Sequence, residues 1–292
     1  MIRDFAYFRA KTKDEALDLL DQHKDDCKVI CGGQSLLILM RQGLVAPKNL
    51  IDIKAAKELS YIDFNKKSGL RIGAATTHRE IEKSSLIKEH YPLLTEMEQN
   101  LASIQTRNWG SIGGNLCHAD PAGDPGPVLV ALNASVKMAS KQRERTKPLE
   151  EFFVDFFETI LEPGELLVEI IVPAIPPRTA LAYEKFNIIK NELGIVSVAA
   201  SITLDAKGAS CKEARIVLGA AAPKPRRAKE AEKLLIGQKL DDRLLEKVGE
   251  KASKEAEPVT DIHATEDYRR YLVKVLAKKM VKKAWEKAKA LV

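Results

Sequence analysis

Two glycine pairs, each at the end of a short apolar run, constrain this chain more than any other feature. They are Val29-Ile30-Cys31-Gly32-Gly33-Gln34-Ser35-Leu36 and Ser111-Ile112-Gly113-Gly114-Asn115-Leu116. Adjacent glycines admit positive φ and let the backbone approach a ligand closely. Successive amides in such a turn form a concave nest suited to phosphate. Ser35, Ser111 and Asn115 place side-chain donors at the same points. Two loops of this kind suit the two phosphates of a dinucleotide, although plain turns account for glycine pairs equally well. Neither loop fits GxGxxG and no P-loop is present, so a Rossmann or Walker mode is not indicated.

Around the first loop the chain alternates short elements. Ala16–Leu20 reads as a helix behind the cap residues Thr12 and Asp14, Cys27–Cys31 as a strand, Leu36–Gln42 as a helix and Asn49–Ile53 as a strand. That order predicts a small α/β unit with parallel strands over 1–57. A second segment, 58–176, opens with a hairpin, Tyr61–Phe64 and Leu70–Ala74. It continues with a helix capped by Thr77, another from Tyr91 that ends before Gly110, and a Gly/Pro-rich loop from Ser111 to Pro127. Strands are expected at Ala134–Ala139 and Glu169–Val172, and Pro173–Pro177 reads as a linker. The third segment, 177–292, carries two antiparallel strands, Ile195–Leu204 and Ala214–Gly219, and then helices. The last helix starts at a Thr265-Glu266-Asp267 cap.

Composition narrows the function classes. With 45% hydrophobic and 30% charged residues the 292-residue chain is ordinary globular material. The 47 Lys+Arg against 41 Asp+Glu leave a net charge of +6, spread among acidic neighbours, so no nucleic-acid partner is expected. No apolar run reaches the roughly 18 residues of a membrane span. The opening Met1-Ile2-Arg3-Asp4-Phe5 puts charges where a signal peptide needs apolar residues, so a cytoplasmic location is expected. Cys27, Cys31, Cys117 and Cys211 are dispersed without a CxxC pair, which points to neither a zinc site nor a cluster of this chain's own.

The stretch His118-Ala119-Asp120-Pro121-Ala122-Gly123-Asp124-Pro125 admits three readings. His118, Asp120 and Asp124 are possible metal ligands; Asp124 alone suits a ribose hydroxyl; and aspartates next to prolines also simply cap turns. Cys117 reads as a small buried residue. His23 and His90 sit among charges and read as solvated, His263 falls in a loop, and His78 reads as a first-turn polar residue. The lysines of the last helix read as a solvated face, with partner docking as the alternative.

At the two glycine loops the sequence resembles the FAD-binding medium subunit of the molybdenum hydroxylases, the family of carbon monoxide dehydrogenase and xanthine dehydrogenase. The resemblance is carried by Cys31–Ser35, Thr76-Thr77-His78, Arg107–Leu116 and His118–Asp124. Weaker similarity runs through Gly164–Leu167, Tyr183–Phe186 and Leu218–Pro223. It implies an α+β, PCMH/vanillyl-alcohol-oxidase-type FAD-binding fold of two subdomains, followed by a C-terminal antiparallel sheet with helices. It also implies that residues 29–36 and 111–115 wrap the FAD pyrophosphate. On this basis the expected cofactor contacts are Val29, Ile30, Cys31, Gly32, Gly33, Gln34, Ser35, Leu36, Ser111, Ile112, Gly113, Gly114 and Asn115. Asp124 is expected on the adenosine side, Leu167 and Lys185 touch the cofactor, and Thr77 is a further contact. The metal reading of His118, Asp120 and Asp124 then lapses.

The resemblance implies an electron-transfer role within a heterotrimer rather than conventional acid–base catalysis, so no catalytic residue is expected. Partners would be a molybdenum-binding large subunit, where substrate is oxidised, and a small subunit with two [2Fe–2S] clusters. Electrons would reach FAD here and pass to NAD⁺, a quinone or another acceptor. Cys31 stands where the family usually has alanine, and the segment after Leu193 departs from the pattern. A free-standing FAD-dependent oxidase or dehydrogenase of the same fold is the competing reading, and turnover of an organic donor by this chain alone would favour it.

Overall fold

A computed structural model describes residues 2–292. The chain forms two compact units, Met1–His118 with Ser135–Val172, and Ala119–Ala134 with Pro173–Val292.

The first unit opens with β1 (Ala6–Arg9), α1 (Lys13–His23), β2 (Cys27–Ile30), α2 (Leu36–Arg41) and β3 (Asn49–Asp52). The three strands form a parallel sheet in the order β1-β3-β2. Thr12 starts α1 by accepting the Glu15 amide at 3.1 Å. Helix α1 turns Ala16, Leu17 and Leu20 inward. Strand β1 is absent from the sequence reading because its residues are mostly exposed, as suits an edge strand.

The chain continues through β4 (Ile62–Asn65), β5 (Gly69–Gly73), α3 (His78–Lys83), α4 (Ser85–His90), α5 (Pro92–Gln99), α6 (Ile104–Trp109) and α7 (Ile112–His118). Helix α8 (Pro125–Ala131) belongs to the second unit. The first unit resumes with β6 (Ser135–Ala139), β7 (Glu144–Pro148), α9 (Leu149–Phe152), the small pair β8 (Phe153–Asp155) and β9 (Glu158–Thr159), and β10 (Leu166–Val172). An antiparallel sheet runs β4-β5-β10-β6-β7. Ala16, Leu17, Leu20, Ile51 and Ile53 share one apolar cluster with Ala75, Ala139, Leu166 and Val168, so one core serves both sheets.

Two expectations need correction here. The single helix expected from Tyr91 to Gly110 is two helices. Ala102 takes φ 43° between them, and the Ser103 hydroxyl caps α6 by accepting the Thr106 amide at 3.1 Å. The loop expected from Ser111 to Pro127 is largely helical, in α7 and the start of α8.

The second unit adds β11 (Thr179–Phe186), β12 (Val196–Leu204), β13 (Cys211–Gly219), β14 (Arg226–Arg227), α10 (Lys229–Leu235), α11 (Asp242–Glu255) and α12 (Glu266–Lys289). The strands make an antiparallel sheet in chain order. Every residue of β12 is buried, and Leu272, Leu276, Met280 and Trp285 of α12 join Val198, Ala200 and Ile202 in its core. Helix α8 is buried along its whole length. The segment before it is tied to the sheet by the Ala220 amide, which donates to the Pro121 carbonyl at 2.8 Å. Among the described residues no helix is long and apolar enough to cross a membrane.

Candidate functional site

The first unit brings the two glycine segments together. A Cβ on Gly32 would run into the Trp109 carbonyl and lie 2.7 Å from the Gly110 Cα, so only glycine lets these backbones touch. Gly33 sits in the left-handed region at φ +68°. Its carbonyl accepts the Leu37 amide at 3.2 Å and launches α2. Among the described residues, the amides of Gly33, Gln34, Ser35 and Leu36 donate to no acceptor within the protein. Four consecutive uncommitted donors at a glycine turn match an anion's needs. Val29 and Ile30 lie on or end the strand that delivers this turn.

The second segment is built differently. Gly113 and Gly114 lie in α7 and neither has positive φ. The Ile112 amide donates to the Thr76 carbonyl at 3.0 Å and the Gly113 amide to the Ala74 carbonyl at 2.9 Å. The Gly114 amide goes to the Ser111 hydroxyl at 3.2 Å, and the Asn115 amide to the Ser111 carbonyl at 3.0 Å. The expectation of a second nest with positive φ is thus overturned: these amides are spent inside the protein. Glycine is required at 113 for space, because a Cβ there would lie 2.6 Å from both the Cβ and the carbonyl oxygen of Ala74. What this segment offers is the Ser111 hydroxyl proton and the half-buried Asn115 side chain.

Thr77 faces Ser111 across a short antiparallel bridge. Its hydroxyl is committed to a capping box: it accepts the Glu80 amide at 3.2 Å and donates to the Glu80 carboxylate at 2.7 Å. His78 is not a solvated first-turn residue. It is 3% exposed, with Nδ1 at 2.9 and 3.0 Å from the two carboxylate oxygens of fully buried Glu98. Its amide donates to the Gly110 carbonyl at 3.0 Å, which ties this buried pair to the second segment. His23 and His90 are also not simply solvated, for they stack on Phe8 and Phe64. Burial pushes the Cys31 thiol up, against a lowering contact with Ser111, so it stays protonated. Burial takes Cys117 to about 12. Leu167 lies inside the antiparallel sheet, 2% exposed and paired with Met138.

In the second unit Asp124 is 4% exposed. Its Oδ1 accepts the Tyr183 hydroxyl at 2.5 Å and its Oδ2 accepts the Lys185 ammonium at 2.7 Å. Tyr183 and Lys185 are two apart on β11 and therefore share a face. Burial, then the Asp124 charge, raises the Tyr183 phenol well above its ordinary value. The other two residues once weighed as metal ligands are engaged elsewhere. The His118 ring leans on Phe157, and Asp120 accepts the Ala122 amide at 2.9 Å. Sequence reasoning missed the pairing of His78 with Glu98 and of Asp124 with its two partners. The only available signal was the i,i+2 spacing of Tyr183 and Lys185.

Residues 3–175 match the model of the FAD binding domain in molybdopterin dehydrogenase. Residues 181–284 match that of the CO dehydrogenase flavoprotein C-terminal domain. The chain is 34% identical to the 6-hydroxypseudooxynicotine dehydrogenase complex subunit alpha of Paenarthrobacter nicotinovorans, covering 98% of this chain and 96% of that one. It is 31% identical to the carbon monoxide dehydrogenase medium chain of Hydrogenophaga pseudoflava, over 96% and 97% of the two chains. A solved structure of the carbon monoxide dehydrogenase of that organism superposes with a TM-score of 0.94 at 31% identity, covering 98% and 99%. Quinoline 2-oxidoreductase from Pseudomonas putida 86 gives 0.92 at 29% identity, covering 99% of each chain. The two family models, together with relatives 31–34% identical over nearly the whole length, show that the chain belongs to the FAD-binding subunit family of the molybdenum hydroxylases, the family of the carbon monoxide dehydrogenase medium chain.

Proposed function

We propose that this chain is the electron-transfer flavoprotein subunit of a cytoplasmic, heterotrimeric molybdenum hydroxylase or dehydrogenase. Its partners would be a molybdenum-binding large subunit and a [2Fe–2S] small subunit. When bound, FAD supplies the redox chemistry that takes electrons singly from the clusters and delivers them in pairs to NAD⁺, a quinone or another acceptor. The observation that carries the reading is the run of uncommitted amides from Gly33 to Leu36, packed against the second glycine segment.

The protein's own part is to bind and orient. The Gly33–Leu36 amides donate to the pyrophosphate, and the Ser111 hydroxyl and Asn115 amide add donors from the second segment. This division of labour differs from two equivalent nests. Residues 111–115 set the position of the turn and contribute side chains, whereas 32–36 contribute main chain. Asp124, held by Lys185, takes a hydroxyl on the adenosine side. Cys31, as a protonated thiol, lines the turn without reacting. Leu167 supports the sheet from inside and contributes at most backbone.

Purification from the native host tests the whole reading. Bound FAD, absorbing near roughly 450 nm, together with two further chains carrying molybdenum and iron is the expected result. Oxidation of an organic donor by the isolated chain would refute the subunit role.

A further inference from the structure

We infer that Tyr183 is a positioning residue: its hydroxyl fixes the plane of the Asp124 carboxylate for the cofactor hydroxyl assigned to it above, on which reading this inference rests. Asp124 precedes α8 in helical geometry, φ −64° and ψ −40°, and its side chain makes no capping bond. The helix therefore does not orient the carboxylate, whose terminal torsion is intrinsically broad. Lys185 reaches only Oδ2, and an ammonium on a flexible stem with rotatable donors neutralises a carboxylate without setting its plane. Tyr183 adds a stiffer constraint. Its rigid ring takes the other oxygen at 2.5 Å, so each carboxylate oxygen has a side-chain donor.

The surroundings hold the phenol to that task. Ser197 of β12, next to this strand, is 4% exposed. Ser197 pairs with Lys185 on one side and Gly219 on the other, and the missing side chain at Gly219 leaves room for the serine. Burial keeps the phenol protonated, so Tyr183 remains a donor across the working pH range. Tyr183 thus acts on the cofactor through Asp124.

Apoprotein prepared from wild type, Tyr183→Phe, Asp124→Asn and the double variant tests this by titration with FAD and with FMN, which lacks the adenosine half. Asp124→Asn is expected to weaken FAD binding, Tyr183→Phe to weaken it about tenfold, and the double variant to bind no more weakly than Asp124→Asn. FMN affinity should stay the same in all four. Equal losses for FAD and FMN would show a general structural effect and overturn the inference. So would an undiminished Tyr183→Phe loss in the Asp124→Asn background, or wild-type FAD affinity in Tyr183→Phe while Asp124→Asn binds weakly. Should Asp124→Asn itself bind FAD normally, the assignment of Asp124 fails first and takes this inference with it. Phenylalanine keeps the ring, and melting curves on the same samples separate a folding defect from a binding one.

Discussion

Replacing Gly113 by alanine is a small change with a computable cost. The new methyl would lie 2.6 Å from the Ala74 Cβ and 2.6 Å from its carbonyl oxygen, whereas carbon atoms prefer about 3.5–4.0 Å. Neither neighbour can rotate away, because one is a Cβ and the other is backbone. Helix α7 must therefore retreat by about an ångström, stretching the 2.9 Å bond from the Gly113 amide to Ala74 and the 3.0 Å bond from Ile112 to Thr76. Overpacking of this kind costs about 1–3 kcal/mol, and weakening a buried hydrogen bond costs about 1 kcal/mol more. Exchanging glycine for alanine in a helix returns about 1 kcal/mol. The net loss is about 1–3 kcal/mol, which lowers the melting transition by roughly 3–10 °C. Gly114→Ala is the matched control. Position 114 is exposed, and its Cβ would meet only the Ser111 hydroxyl, at 2.9 Å. That variant should melt within about 1–2 °C of wild type, yet bind FAD less well because Ser111 must rotate. Circular dichroism melting and FAD titration of the apoproteins measure both quantities. An unchanged melting temperature for Gly113→Ala would refute the close-packing argument.

Three further outcomes are expected. His78→Ala strips fully buried Glu98 of its imidazole and should destabilise the first unit by about 3 kcal/mol, measured by denaturant unfolding; a loss below about 1 kcal/mol would contradict a structural role for the pair. Burial pushes the Asp261 carboxyl up, but hydrogen bonds from Arg269 and from the His263 and Ala264 amides outweigh this and hold it to about 2. A lowered carboxyl stabilises fully above its unfolded value near roughly 3.9 and loses that contribution as pH falls through its folded value, so Asp261→Asn should flatten the loss of melting temperature between about pH 5 and 2. Cys117 is half-buried with its thiol raised to about 12 by desolvation, so it should alkylate far more slowly near neutrality in the folded protein than after unfolding, and equal labelling rates in the two states would contradict the raised thiol.

The parts of the fold written in local pattern were readable from the sequence, while those made by long-range contact were not. The hairpin of β4 and β5, the parallel β2 and β3 and the long α12 follow from periodicity, turns and caps within a few residues. Helix α7 defied that reading because two glycines make a poor helix, by about 1 kcal/mol each relative to alanine. Its first turn is anchored by bonds to Ala74 and Thr76, far away in sequence. The glycine pairs look alike in sequence, yet one is an open turn and the other a helix pressed on a neighbour. The difference lies in which carbonyls reach their amides. His78 met Glu98 twenty residues on, and Asp124 met Lys185 sixty-one residues on; no short spacing announces either pair.

The route of the chain bears on how this protein can be divided. Residues 119–134 leave the first unit, place α8 in the second, and return. A fragment ending near residue 175, where one matched family model stops and before the next begins, would keep α8 but lose the sheet that covers it. Seven residues shaped for an interior, Pro125 to Ala131, would then face water. The complementary fragment would lose the helix packed on β12 and β13. Gene fusions, limited proteolysis and split-protein designs should therefore treat the polypeptide as indivisible at that junction, and a cut there is a recipe for insoluble halves.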